Sequence, residues 1–175
     1  MSAGFFEQLI AQAGSHRKIG RGGFLFRQDD PVKSVFAVKH GLIELTRYPR
    51  EGGSIFLQRA HGRSILAEAS LYSEIYHCDA VATRPSEIFE MTRATFRDLL
   101  HRDRAFSDLW AAHLADEVRS VRSRSEILSR NTVSDRLDGW LAWRGALPDK
   151  GEWKNIAGQI GVSPEALYRE LAKRR

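Results

Sequence analysis

Hydrophobic and polar positions follow two different periods along the chain, and the change between them lies near residue 92. Before it, short segments rich in β-branched and aromatic residues alternate with turn residues such as Gly, Pro and Asp. The segments are GGFLF, SVFAV, LIELTRY and SIFLQRA. This pattern is typical of an antiparallel sandwich or barrel of short strands. The period of two predicts inward side chains at Phe24, Phe26, Val35, Ala37, Ile43, Leu45, Ile55 and Leu57.

Helical spacing precedes and follows this β region. The segment containing Phe5, Phe6 and Leu9 predicts a short helix that packs on the strands. Thr92 is a candidate N-cap for a second short helix, and Asn131 or Thr132 is the candidate N-cap of a later one.

A longer helix between these caps carries apolar residues at a heptad spacing. We predict that its seam forms a homodimer through Ala111, Leu114, Val118, Val121 and Leu128. A seam this narrow suits a partner helix better than a broad core. The alternative is that the helix packs on its own β domain, and a helix of this length could do both.

Composition limits the class of protein. The single cysteine, Cys78, excludes an intramolecular disulfide framework, and the first residues lack the basic and apolar regions of a signal peptide. Charged residues interrupt every apolar run before it reaches the roughly 20 residues that a membrane span needs. We therefore expect a cytoplasmic protein without a membrane partner. The net charge of +5 fits a polyanionic partner, although a solvated helix face would also explain the arginines after residue 118.

The final segment, residues 153–175, has the spacing of a helix-turn-helix. Ala157 is small where two helices would cross, and Gly161 permits a left-handed turn four residues later. Ser163 and Pro164 are typical of an N-cap followed by the first helical position. The inward face would consist of Ile156, Ile160, Val162, Leu167 and Leu171. These agreeing signals predict DNA binding.

In such a motif the second helix enters the major groove by its N-terminal end. The residues predicted to contact DNA there are Ser163, Pro164, Glu165, Ala166, Tyr168 and Arg169. Glu165 and Arg169 share a helix face, and they can bind cytosine N4 and guanine O6 and N7, respectively. A surface ion pair is the alternative. Lys173, Arg174 and Arg175 lie further along the helix, and we assign them to phosphate contacts.

A β sandwich, a heptad helix and a C-terminal helix-turn-helix, in this order, resemble the cyclic-AMP receptor and fumarate-nitrate regulator (CRP/FNR) family of bacterial transcription factors. The resemblance covers nearly the whole chain and rests on SVFAVKHGLIELTRY, AEASLYSEIYHCDAVA, VSDRLDGWLAW and IAGQIGVSPEALYREL. It implies an α+β protein with a jelly-roll sensor domain, a homodimer built on the long helix, and a winged-helix-type DNA-binding domain that is reoriented when the sensor is occupied. The implied partners are a pseudo-palindromic DNA site and RNA polymerase.

The resemblance also predicts three parts of the chain. They are a cyclic-nucleotide-binding-like sensor domain over residues 1–105, a dimerisation helix over residues 106–130 and a helix-turn-helix domain over residues 131–175. In the family a two-stranded wing follows the recognition helix, and the resemblance places no wing before Arg175. The family's recognition helix carries a Glu and an Arg four residues apart, which Glu165 and Arg169 match.

In the cyclic-nucleotide binders of the family, AEASLYSEIYHCDA would be the phosphate-binding cassette. There a Gly-Glu pair and a short helix precede an arginine; backbone amides and the arginine neutralise the phosphate, and the glutamate accepts from the ribose hydroxyl. Glu68 matches that glutamate. However, Ala67 replaces the glycine, and Tyr76 and His77 stand where the arginine is expected. The phosphate clamp is therefore missing.

The long helix departs from the nucleotide binders as well. A Thr-Ser pair contacts the base across their dimer, and Val121 and Arg122 stand at these positions here. Because a buried phosphate without a cation is costly, cyclic AMP is disfavoured as the effector, although Arg122 could supply a charge. The predicted effector pocket comprises Glu68, Ala69, Ser70, Tyr76, His77, Cys78, Val121 and Arg122.

Other occupants of this pocket are also disfavoured. The cysteine count excludes an iron-sulfur cluster, and adjacent His77 and Cys78 would diverge as ligands of haem or zinc. We therefore predict no cofactor and no metal site. The open alternatives are an unidentified small molecule, a regulator without a ligand, and a redox switch at Cys78.

Two other classes of function fit the sequence less well than a regulator does. Metal chemistry on a β barrel needs clustered histidines, whereas His40, His61 and His77 lie on separate segments, so we expect no enzyme. A cyclic-nucleotide-binding module that regulates a partner protein would not need the C-terminal helix pair. The sequence therefore predicts a homodimeric, sequence-specific DNA-binding transcriptional regulator with an unidentified effector.

Overall fold

The computed structural model describes residues 3–49, 52–53 and 55–174. The chain divides into two compact units, Met1–His113 and Leu114–Arg175. The N-terminal unit contains, in order, α1 (Ala3–Ala11), β1 (Ser15–Ile19), β2 (Phe24–Phe26), β3 (Ser34–Arg47), β4 (Ile55–Ala60), β5 (Ser64–Leu66), a 3-10 turn (Glu68–Ser70), β6 (Asp79–Thr92) and α2 (Arg93–Arg102). A long helix, α3 (Arg104–Ser129), begins in this unit and ends in the next.

The N-terminal unit is a six-stranded antiparallel sheet with helices, as predicted, and it is consistent with a jelly-roll fold. The two 14-residue strands β3 and β6 pair with each other and organise the sheet, since β1 and β2 also pair with β6, and β4 and β5 pair with β3. The β3–β6 register shifts around Gly41, whose φ is +102°. A side chain there would collide with Ser86, so glycine is required at this irregularity.

The alternation of apolar residues predicted most of the inward positions. Val35, Ala37, Ile43 and Leu45 are buried, but Phe24 and Ile55 are 37% and 50% exposed. The ring of Phe24 lies under the guanidinium of Arg27, 3.8 Å from its centroid, so it contacts a cation rather than the core. The first half of β3, Ser34–Val38, is buried on both faces, which a period of two does not predict.

Aromatic rings join α1, α2 and the start of α3. Phe106 lies 5.2 Å from Phe5 and 5.3 Å from Phe96 between ring centroids, and His113 stacks on Phe5 at 5.5 Å. We predicted a domain boundary at residues 105/106, whereas the units meet at residues 113/114. The difference arises because the first turns of α3 contribute Phe106, Trp110 and His113 to the N-terminal unit.

The C-terminal unit contains the rest of α3, then α4 (Val133–Arg144), a 3-10 turn (Lys150–Glu152), α5 (Trp153–Gln159) and α6 (Pro164–Lys173). Its core consists of Ile127, Leu137, Trp140, Ile156, Ala157, Ile160, Leu167 and Leu171. Within the part of the chain that the structure describes, no helix is long and apolar enough to cross a membrane.

Helix starts follow the predicted caps. The hydroxyls of Thr92, Thr132 and Ser163 accept from the backbone N–H three residues later, at 3.1, 3.0 and 3.2 Å. Each bond satisfies a donor that the first helical turn leaves without a partner in the helix. Gly161 has a φ of +66° in the turn between α5 and α6, as its predicted left-handed role requires.

Candidate effector pocket and nucleic-acid interface

The segment between β5 and β6 carries six of the residues predicted for the effector pocket. It begins at Ala67, which has a φ of +70° and is buried. This left-handed conformation costs a non-glycine residue about 1 kcal/mol or more, and glycine would adopt it without strain. The backbone therefore keeps a glycine-type geometry although the residue is alanine.

The first turn of this segment brings two predicted residues together. Ser70 is buried, and its hydroxyl lies 3.1 Å from Nδ1 of the exposed His77. Glu68 is partly buried and Ala69 is exposed. Ser70 and His77 therefore fix the two ends of the segment to each other.

Tyr76 is buried and has structural partners. Its hydroxyl donates to the Ser34 carbonyl at 2.9 Å and accepts from the Ser34 N–H at 3.1 Å, and its ring stacks on Phe26 with centroids 4.0 Å apart. Burial raises the pKa of Tyr76. The ring also lines a cleft of about 330 Å³ together with Arg17, Glu90 and other residues. These contacts attach the segment to the start of β3.

Cys78 lies in the core with 1% of its surface exposed. Burial, followed by the charges of Asp79 and Glu68, raises the pKa of its thiol to about 11, and Arg47 lowers it partly. A redox-sensing cysteine needs access and a lowered pKa, so this environment disfavours the redox alternative.

Arg47 is a cation that the sequence analysis missed. It is the exposed last residue of β3, and its neighbour Thr46 pairs with Asp79 at the start of β6. This pairing brings Arg47 close to the end of the candidate cassette, where its positive charge partly opposes the rise in the pKa of Cys78. Only the strand register brings Arg47 there, so no motif in the sequence could have identified it.

Metal ions in proteins are bound by groups of ligand side chains. Among the described residues, no group of three or more His, Cys, Asp or Glu side chains could bind a metal ion.

The remaining predicted pocket residues, Val121 and Arg122, lie on α3 in the C-terminal unit, and both are exposed. Of the predicted dimerisation residues, Val118, Val121 and Leu128 are 48%, 66% and 37% exposed in the single chain, Ala111 is exposed and Leu114 is partly buried. Helix α3 thus carries large apolar side chains that its own chain leaves accessible.

Helices α5 and α6 form a pair joined by the turn at Gly161. The buried residues Ile156 and Leu167 pack in the core of the C-terminal unit, as predicted. The capping Ser163 and, on α6, Glu165, Tyr168 and Arg169 are exposed. Pro164 and Ala166 are partly buried.

Glu165 is ionised at neutral pH. Its pKa lies below the usual range because its own backbone N–H and the Ser163 hydroxyl donate to the carboxylate, and because Lys154 and Arg169 are close by. The exposed start of α6 therefore presents a carboxylate acceptor and, one turn later, an arginine donor.

The three basic residues predicted to contact phosphates differ in their surroundings. Lys173 is largely exposed, and its ammonium lies 4.0 Å from Glu170. The guanidinium of Arg174 instead donates to side chains and a carbonyl on α4 and to Glu170. Arg175 lies outside the described residues.

Half of the chain matches a known domain family. Residues 16–103 match the family model described as the cyclic nucleotide-binding domain. A search of curated proteins found no match.

Solved structures share the fold. The c-di-GMP responsive global regulator CLP of Xanthomonas campestris is 18% identical with a TM-score of 0.68, and the alignment covers 99% of this chain and 91% of that one. FixK2 of Bradyrhizobium japonicum is 17% identical with a TM-score of 0.71, covering 91% and 83%. The catabolite activator protein of Thermus thermophilus is 20% identical with a TM-score of 0.59, covering 99% and 83%. At these identities the likeness shows the fold; CLP is described as a global regulator and the Thermus thermophilus protein as a catabolite activator.

Proposed function

Because the chain belongs to the cyclic nucleotide-binding domain family, we propose that it is a homodimeric, sequence-specific DNA-binding transcriptional regulator. The fold it shares with the regulators CLP and FixK2 supports this proposal. The N-terminal unit senses an effector, and the C-terminal unit binds DNA. RNA polymerase is the further partner that the family resemblance implies.

The observation that carries the proposal is the exposed start of α6. Ser163 caps the helix and Pro164 occupies its first position, so the N-terminal turn is fixed. Glu165 and Arg169 are exposed on this part of the helix. A helix presented in this way enters the major groove by its N-terminal end. The ionised Glu165 can accept from cytosine N4, and Arg169 can bind guanine O6 and N7.

Dimerisation through α3 gives the regulator two such helices. The accessible Val118, Val121 and Leu128 lie on one heptad seam and become buried when two copies of the helix associate. A two-fold axis then places two α6 helices in successive major grooves, about 34 Å apart, on a pseudo-palindromic site.

The effector acts on the segment between β5 and β6. Its left-handed start at Ala67 retains the cassette geometry, and Arg47 supplies a positive charge near Cys78. Glu68 and Asp79 contribute two negative charges at this end of the segment, and Arg47 opposes them only in part, so a cyclic phosphate is disfavoured as the effector. Val121 and Arg122, the other predicted pocket residues, lie on the dimerisation helix in the C-terminal unit.

The test is selection of DNA by the purified chain from a library of random duplexes, followed by binding measurements on the enriched duplex. Arg169→Ala should weaken binding by about 1 to 3 kcal/mol and relax the preference at one base pair. Lys173→Ala is the matched control: it should weaken all duplexes to a similar degree and reduce the salt dependence by about one counterion. If the chain enriches no sequence, or if Arg169→Ala keeps the ranking of base-substituted sites, the proposed role of α6 is wrong.

A further inference from the structure

We infer that Arg174 is a positioning residue that braces α6 against α4, together with Asp138 and Ser134, and does not contact phosphate. The inference rests on the proposed DNA-binding function, because it concerns how the recognition helix is presented. It changes our sequence-based assignment of Arg174, which used only the position of the residue near the end of α6.

The guanidinium of Arg174 uses all three of its nitrogens within the C-terminal unit. Nε donates to Glu170 Oε1 at 2.9 Å on its own helix. One terminal nitrogen donates to the Asp138 carboxylate, and the other donates to the Ser134 carbonyl at 3.1 Å and to its hydroxyl at 2.7 Å. An arginine with a planar fork can satisfy such a set simultaneously, whereas an ammonium cannot reproduce its geometry.

These partners make the contact a bridge between two helices. Ser134 and Asp138 are four residues apart and share one face of α4, so they bind the guanidinium from one side. The side chain of Arg174 is 29% exposed, whereas that of Lys173 is 75% exposed. The neighbouring cations are thus different. Lys173 makes a 4.0 Å contact with Glu170 and its exposed ammonium can approach a phosphate, whereas Arg174 is bound by the carboxylates of Asp138 and Glu170.

A second arginine fixes the other end of α6. Arg136, also on α4, donates from its terminal nitrogen to the carbonyls of Ile160 at 3.2 Å and Gly161 at 3.0 Å, in the turn before α6. Its Nε donates to the Arg130 carbonyl at 2.8 Å. Helix α6 is therefore attached to α4 at both ends, so the loss of Arg174 should let its C-terminal end move. A displacement of about 1 Å is enough to misalign bidentate base contacts.

The decisive variant is Asp138→Ala. Removing a negative charge from a DNA-binding unit should strengthen binding to a polyanion if Asp138 acts only through its charge. The brace predicts the opposite: about tenfold or more weaker binding to the enriched duplex, with an unchanged salt dependence. Alanine is a better helix former than aspartate, so helix propensity does not oppose folding of the variant. The matched control is Asp149→Ala, which removes the same charge from an exposed position outside α4 and α6.

Arg174→Lys separates the two roles by a second route. A lysine keeps the charge for a phosphate contact but loses the fork, so the brace predicts weakened binding to the enriched duplex and a phosphate contact predicts nearly unchanged binding. Amide hydrogen exchange without DNA supplies an independent readout. Exchange in α6 should accelerate in Asp138→Ala and Arg174→Lys, but not in Lys173→Ala or Asp149→Ala.

The outcomes distinguish this inference from the proposed function. If the unmodified chain enriches no DNA sequence, the proposed function fails, and the exchange data alone decide whether the brace exists. If the chain enriches a sequence and Asp138→Ala binds it equally or more tightly, or if Arg174→Lys binds like the unmodified chain, the brace is wrong and Arg174 contacts phosphate.

Discussion

Cys78 shows how the environment of a single residue decides between functions. The thiol is buried among apolar side chains of the N-terminal unit, and two carboxylates increase the cost of ionising it. Its pKa rises from the usual 9.0 to about 11. A thiol that stays protonated at neutral pH is a poor nucleophile, which favours a packing role over oxidation.

This raised pKa predicts a loss of stability at alkaline pH. In the unfolded chain the thiol ionises near pH 9, whereas in the folded chain it keeps its proton until about pH 11. The protonated thiol therefore contributes about 2 to 3 kcal/mol to the free energy of unfolding. This contribution is fully present below pH 9 and is lost as the pH rises through 11. Urea unfolding between pH 8 and pH 11 should show this slope.

The control for that measurement is Cys78→Ala. The variant is less stable at every pH because it loses buried volume, but its stability should fall less steeply above pH 9. Tyr76 also titrates at high pH and contributes equally to both proteins. Equal slopes for the two proteins would contradict the assignment of the raised pKa to Cys78.

Local residue roles were predictable where they depend on neighbours in sequence. Thr92 and Ser163 were identified as caps, and Thr132 was one of two candidates beside Asn131, because a cap bonds only three residues ahead. Tyr76 and Arg47 were not understood, because the partner of Tyr76 lies 42 residues away and Arg47 reaches the cassette only through strand pairing. Long-range register is not encoded in any local pattern.

At the scale of elements, α3 belongs to both units. Its first turns contribute Phe106 and Trp110 to the aromatic cluster, and Ile127 near its end packs in the core of the C-terminal unit. Between them, Val118 and Val121 remain accessible. The heptad spacing predicted a narrow apolar seam, and this seam is what the single chain leaves uncovered.

We therefore predict that Val121→Asp converts a dimer into a monomer. In a helix pair the new carboxylate would be buried without a partner, which costs several kcal/mol across two symmetric copies. In the monomer the position is 66% exposed, so folding should not suffer. Sedimentation velocity over a range of concentrations measures the oligomeric state, with circular dichroism as the check on folding.

Arg122→Asp is the matched control, because it introduces the same residue at the adjacent exposed position outside the seam. It should remain dimeric. A Val121→Asp variant that sediments like the unmodified chain would show that α3 does not form the interface, and would remove the geometric basis for two half-sites one helical turn apart.

The strand prediction was incomplete in number and in environment. The apolar alternation predicted four segments, whereas the structure has six strands: SVFAV and LIELTRY both belong to β3, and β1, β5 and β6 were not among the predicted segments. It also could not reveal that Ser34–Val38 is covered on both faces. Helices α1 and α2 both contact β3, in addition to the neighbouring strands. Alternating apolar and polar residues indicate a strand with one buried face. Burial of the second face depends on tertiary packing, which this pattern does not predict.

At the scale of the whole molecule, the order of a β unit, a long helix and a terminal helix pair follows from changes in periodicity along the chain. The two compact units meet at residues 113/114, eight residues after the predicted start of the dimerisation helix at residue 106. The predicted heptad seam begins at Ala111, after the start of α3 at Arg104, whereas the division into units depends on which core each side chain enters. Neither the periodicity nor the division into units predicts the identity of the effector, because that identity depends on a few side chains in the segment between β5 and β6.

Cyclic AMP provides the final test, because it separates a retained fold from a retained ligand. The segment keeps the left-handed backbone at Ala67 and the glutamate at Glu68, but the residue expected to be arginine is replaced, and Tyr76 bonds to Ser34 instead. A cyclic phosphate enclosed without a matching cation loses its hydration without adequate compensation. We expect no binding in titration calorimetry at cyclic AMP concentrations up to about 1 mM, where even a free energy of about −4 kcal/mol would be detected.

The same preparation must bind the enriched duplex, so that an absence of heat reports the pocket and not an inactive sample. Micromolar binding would contradict the prediction, and two variants would then locate the site. Glu68→Gln would weaken it if the ribose hydroxyl donates to that carboxylate, and Arg47→Ala would weaken it if Arg47 replaces the missing arginine. Coupling between two binding sites is reciprocal. A nucleotide that regulates the protein must therefore change the affinity for DNA by the same factor by which bound DNA changes the affinity for the nucleotide.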